Sequence, residues 1–277
     1  MKPEIVNSSF KFNLPTGLAI DTNGNLYVVD SGNHRVLKFN KAGNLILQWG
    51  KFGIDSGEFN FHEDRGTVCG IATDYQGNVF VVDKGNYRIQ KFDSAGHFLT
   101  AWGGKGEANG QFIRPIYVAS DVHGHVFVTD DRNPIVQKFD NNGQFLLKWG
   151  DLGNSHGQFR HATAIAADSE GNIYISDYEN ECVQKFNNDG LFLTSWTTGS
   201  NGKSGTPEAI AIDSSDTIYV ADSELNQVEA FDKAGISLKT IKLPRKGLPY
   251  GMTIDSEENL YVSDRQNNRI MKYKVSP

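Results

Sequence analysis

Eight residues of this chain have types that could do chemistry together: His62, Arg65, Arg114, Arg132, His161, Tyr178, Glu208 and Tyr250. Arginine presents a planar fork of donors that fits a carboxylate or a phosphate. Tyrosine offers a broad apolar face with a polar tip. Histidine exchanges protons near neutral pH or ligates a metal. A set of this kind suits recognition of a protein, a peptide or a small ligand. It assigns no catalytic residue and no metal ligand. The eight are spread from residue 62 to residue 250, so only a fold that returns the chain repeatedly to one place can gather them.

The chain has such a device. "LYVVD" at 26–30 recurs as "VFVVD" 79–83, "VFVTD" 126–130, "IYISD" 173–177, "IYVAD" 218–222 and "LYVSD" 260–264. The closing aspartates, Asp30, Asp83, Asp130, Asp177, Asp222 and Asp264, are spaced by 53, 47, 47, 45 and 42 residues. A second aspartate precedes each by nine residues: Asp21, Asp74, Asp121, Asp168, Asp213 and Asp255. Within the first unit, "GLAID", "LYVVD", "RVLKF" and "LILQWG" are short runs rich in β-branched and aromatic residues, which favour strands. "TNGN", "SGNH" and "NKAGN" between them carry the asparagine and glycine that tight turns need. Four short antiparallel strands per repeat make one blade, and six repeats make an all-β, six-bladed β-propeller. The last unit ends before a fourth strand. The stretch 1–10 is therefore expected to supply that outer strand and close the ring, leaving no open sheet edge. The whole of 1–277 reads as one domain.

Most of the repeated polar residues read as scaffold. An aspartate at the end of the second strand can accept backbone N–H bonds in the turn that follows. The residue five further on is Arg35, Arg88, Ile135, Cys182, Gln227 and Arg269 in turn, so three blades can add a guanidinium to that carboxylate and three cannot. The two aspartates of each repeat fall on opposite faces, because consecutive strands run in opposite directions. The Phe of "GEF" 57–59 and "GQF" 110–112 and 157–159 is expected to pack between blades. Variation is concentrated in the longer connections between blades, where binding residues usually sit. One of them carries an insertion, "HEDRG" 62–66. Aligning the repeats brings Arg114, His161, Glu208 and Tyr250 to the central opening on that face, the default place for a ligand.

The stretches "PTGLAIDTNGNLYVVDSGNHRVLKFNKAGNLILQWG" 15–50 and "GQFIRPIYVASDVHGHVFVTDDRNPIVQKFDNNGQFLLKWG" 110–150 resemble NHL repeats. The resemblance implies the six-bladed propeller and leaves function open. Similar repeats serve as binding modules, and that is the reading adopted: ligand recognition on the loop face, without a cofactor. Similar repeats also occur in a zinc-dependent lyase that cleaves peptidyl-hydroxyglycine, and propeller lactonases bind calcium. The alternative is thus a metal-dependent (Zn or Ca) lyase or hydrolase at the channel mouth, and a lesser one is RNA binding on the loop face.

Composition narrows these classes. Thirty-three acidic against 27 basic residues give a net charge of −6, with no basic run, so nucleic-acid binding is not expected. Two cysteines, Cys69 and Cys182, have no metal-ligand spacing and are expected to be buried thiols. No apolar stretch approaches the ~20 residues of a membrane span, and residues 1–10 show no secretory leader. A soluble monomer is expected, its compartment unassigned.

Overall fold

A computed structural model describes residues 3–7, 9–61, 68–199, 205–244 and 249–275. The "HEDRG" insertion, with His62 and Arg65, lies outside the described residues.

The chain forms six sheets of four antiparallel strands. The first blade runs Pro15–Ile20, Leu26–Asp30, Arg35–Phe39 and Leu45–Trp49, from the axis outward. The innermost strands of successive blades touch, and that of the sixth (Pro249–Ile254) touches that of the first. The result is the expected six-bladed β-propeller. In the sixth sheet the outermost strand is Glu4–Ile5, antiparallel to Arg269–Lys274 with Glu4 opposite Lys272. Among the described residues no helix is long and apolar enough to cross a membrane.

The second strand of every blade is buried along its whole length, which is why those segments read as nearly continuous apolar runs and not as alternating ones. Adjacent blades lock through aromatic contacts. Phe59, Phe112 and Phe159 of the "GEF" and "GQF" connections are fully buried, with ring centroids 5.7, 5.9 and 5.8 Å from Phe92, Phe139 and Phe186. They are inter-blade wedges, as the sequence suggests.

The two aspartate series divide as expected. Asp21 and its kin sit in the turns after the innermost strands, where Asp21 Oδ1 accepts from the N–H groups of Asn23 and Asn25. Asp30, Asp83 and Asp264 lie at the other face and accept from Arg35, Arg88 and Arg269 Nε at 2.8, 2.7 and 2.8 Å. Asp30 and Asp83 also accept from one backbone N–H, of Asn13 and Asn60, whereas in blades 3 and 4, which lack the arginine, the carboxylate accepts from two consecutive ones. Asp130 accepts from the N–H groups of Ile113 and Arg114, and Asp177 from those of Arg160 and His161. Blades 3 and 4 therefore use this aspartate to grip the backbone of the residue entering the channel mouth.

Candidate functional site

Two concentric sets of residues make the loop-face mouth. One is the position near the start of each innermost strand: Thr16, Cys69, Ile116, Thr163, Glu208 and Tyr250. The other directly follows each second-strand aspartate: Ser31, Lys84, Asp131, Tyr178, Ser223 and Arg265. The sets meet within blades. Thr16 and Ser31 hydroxyls are 2.7 Å apart, Ser223 Oγ donates to Glu208 Oε1 at 3.3 Å, and the Arg265 guanidinium lies 5.5 Å from the Tyr250 ring centroid.

The mouth has a floor. The residue after the first set is Gly17, Gly70, Tyr117, Ala164, Ala209 and Gly251 around the ring. Five are tiny and one is large. Tyr117 lies on blade 3 and crosses the axis, and its hydroxyl donates to the backbone oxygen of Tyr250 on blade 6, directly opposite. A second acceptor, the backbone oxygen of Glu208, is 3.4 Å away. The small neighbours leave room for the ring. A Cβ at Gly70 would stand 2.7 Å from Tyr117 Cα, closer than real side chains come. Below the phenol the channel continues as a cavity of about 260 Å³ lined by the innermost strands. Tyr117 turns the mouth from a pore into a blind cup.

One wall of the cup is an ionic triad. Arg114 pairs with Asp131 Oδ2, and His161 Nε2 lies 2.6 Å from Asp131 Oδ1. Burial lowers the His161 pKa, opposed by Glu208 and reinforced by Arg114. With the ring neutral, Nε2 would donate its proton to Asp131, leaving the lone pair on Nδ1. Tyr178 stands edge-on to His161, with ring centroids 5.7 Å apart. Burial also raises the Glu208 pKa to about 7, against the pull of the Ser223 hydrogen bond and of His161. The same cause pushes the Cys69 thiol up to about 12, against Lys84 and Arg265, so Cys69 is protonated and no nucleophile. Cys182 is likewise held protonated by burial.

Glu208 links the site to stability. Its folded pKa lies above the unfolded value, so between pH ~4.5 and ~7 the folded state holds a proton that the unfolded state has lost, and stability falls as pH rises through that window. Glu208→Gln should leave stability unchanged at pH 4.5 and raise it by on the order of 2 kcal/mol at pH 8. Urea unfolding of both proteins at the two pH values measures this. Equal differences at both would mean that Glu208 ionises as an ordinary surface carboxylate does.

Of the eight residues named from the sequence, the fold gathers Arg114, His161, Tyr178, Glu208 and Tyr250 at the cup. Arg132 is exposed, beyond Asp131 in the turn whose backbone N–H groups bind Asp130. Asp131, Arg265, Lys84 and Tyr117 were missed. All four stand at repeat-aligned positions. The residue after each second-strand aspartate, and the lone tyrosine in a column of glycine and alanine, carried the signal. Among the described residues no three His, Cys, Asp or Glu side chains converge as a metal site would require.

The NHL repeat model matches residues 12–39 and 159–186. A mouse peptidyl-glycine alpha-amidating monooxygenase is 37% identical over 124 residues, 41% of this chain but 12% of that protein. A Caenorhabditis elegans protein named "Probable peptidyl-alpha-hydroxyglycine alpha-amidating lyase" is 33% identical over 108 residues, 38% of this chain and 30% of that one. The matches thus span only a minor part of these relatives. Among solved structures, a gluconolactonase from Xanthomonas campestris superposes with a TM-score of 0.71 at 18% identity, over 98% of this chain and 94% of its own, a likeness of fold. The chain thus carries NHL repeats within a ring of six four-stranded blades.

Proposed function

We propose that the loop-face cup binds a small ligand or a peptide end that bears a carboxylate. The observation that carries this reading is Arg265. Its guanidinium lies against Tyr250 at the edge of a cup sealed by Tyr117, and its Nε is buried with no acceptor among the described residues. A buried donor without a partner is costly unless something supplies one, and a carboxylate is the natural complement of an arginine fork. A cup closed below by Tyr117 favours a chain terminus or a small molecule over an extended surface. Tyr178 and Tyr250 add amphipathic walls.

Calorimetric titration of short peptides tests this, each offered with a free and with an amidated C-terminus. The free acid should bind at least tenfold tighter, and Arg265→Ala should erase the difference while Arg132→Ala leaves it. Equal binding of both forms would refute the carboxylate assignment.

A second reading is supported by Glu208 and His161: a lyase or hydrolase that moves protons in the cup. A carboxyl titrating near 7 can give or take a proton at neutral pH, and a neutral imidazole held by an aspartate can act as a base. The names of the mouse and nematode relatives agree with peptide-end chemistry. The described residues do not form a metal centre. Turnover of a candidate substrate should then show a pH profile with one limb near 7 that Glu208→Gln abolishes. RNA binding gains no support, since the chain carries net negative charge and Arg114 and His161 of the cup wall are held by Asp131.

A further inference from the structure

Five seams between consecutive blades and one between the last and the first hold the ring together. At four of them a tryptophan of the outermost strand, Trp49, Trp102, Trp149 or Trp196, reaches the next blade. Each indole lies 5.6–5.8 Å from that blade's phenylalanine, Phe92, Phe139, Phe186 or Phe231. Each also covers a turn glycine: a Cβ added at Gly96, Gly143, Gly190 or Gly235 would strike the indole. In register, the tryptophan always faces the second residue of its blade's third strand, as Trp49 faces Val36.

The seam between blades 6 and 1 breaks this rule. There the residue facing the corresponding position, Ile270, is Val6, whose N–H donates to the Ile270 oxygen at 3.0 Å. An isopropyl group stands where the other seams have an indole. The next blade still offers the receiving surface, with Phe39 and the turn glycine Gly43. Phe10 and Phe12 cover one part of Phe39, but a Cβ at Gly43 would meet nothing within 4 Å. The space left is a cavity of about 140 Å³ walled by Val6, Leu26, Phe39, Gly43 and Tyr261. A cavity of about 150 Å³ is large enough to hold a benzene ring. At the fifth seam, between blades 5 and 6, the position is Ile241, facing Val228, and the next blade carries Tyr273 where the others have phenylalanine.

We propose that this seam is a binding slot for a planar aromatic ring of indole size, distinct from the loop-face cup. The occupant is argued from the molecule itself: four equivalent slots are filled by indole. The four indole N–H groups are buried without a hydrogen-bond partner, so the slot reads shape and not the N–H. Polar residues at its edge, Glu4, Lys41 and Lys272, leave room for a charged substituent pointing outward.

Indole itself is the probe. Titrated into the isotope-labelled chain, it should shift the amide signals of Val6, Leu26, Ala42 and Gly43 saturably, with a Kd on the order of 1 mM, as suits so small a ligand. Val6→Trp should fill the slot from within, raise the thermal midpoint, and weaken indole binding at least tenfold. Absence of saturable shifts at those amides up to ~5 mM indole, or shifts confined to the cup, would overturn the proposal. If the tryptophan variant does not fold, Val6→Phe supplies the same comparison, and the wild-type shift map decides by itself.

Discussion

Tyr117→Ala is expected to destabilise the protein by about 3–5 kcal/mol, the range for truncating a buried aromatic ring, and to abolish ligand binding in the cup. Tyr117 is almost wholly buried, at 9% exposure. Its ring fills space that five glycine or alanine neighbours leave open. The variant would join the cup to the cavity of about 260 Å³ beneath it, so water would enter from both faces and the cup would lose its floor. Tyr117→Phe separates the two roles. It keeps the plug and loses only the hydroxyl that donates to Tyr250, at about 1 kcal/mol, and should retain binding. Urea unfolding and peptide titration of both variants measure this. Unchanged binding by the alanine variant would show that Tyr117 does not form the floor.

Asp177→Ala should cost about 3 kcal/mol, because it strands several donors at once in a buried site. The Asp177 carboxylate is fully buried and accepts from Arg160 N, His161 N and both nitrogens of Asn180, at 2.7–3.1 Å. Its removal releases the backbone that aims His161 at Asp131. Cup affinity should therefore fall more than tenfold as well. Asp30→Ala is the control. Asp30 is equally buried and holds Asn13 N, Asn33 and Arg35, far from the triad. It should cost a similar amount of stability and leave affinity intact. Loss of affinity in both variants would mean that these aspartates act on the cup only through overall stability.

Repeat period, strand order and turn chemistry were legible in the residues alone because all three are local. A run such as "LYVVD" is β-prone wherever it stands, an aspartate two and four residues ahead of backbone N–H groups closes its own turn, and six copies in series leave a ring as the way to bury every face. The same locality placed the wedges at Phe59, Phe112 and Phe159, and it brought Arg114, His161, Glu208 and Tyr250 to one mouth. It did not place Arg132, since the residue beyond the turn points by its own dihedrals and not by the repeat.

What the sequence by itself determined, then, is the scaffold and the circle of positions facing the axis. Only the tertiary structure decided what those positions do. Tyr117 meets Tyr250 across 133 residues because blades 3 and 6 stand opposite in the closed ring. Asp131 serves both Arg114 and His161 because neighbouring blades bring three separate loops within hydrogen-bond reach. Glu208 titrates near 7 because that enclosure strips water from a carboxyl whose own segment, "TPEAIAI", carries no sign of it. Each is a property of distance through space, which periodicity along the chain does not encode.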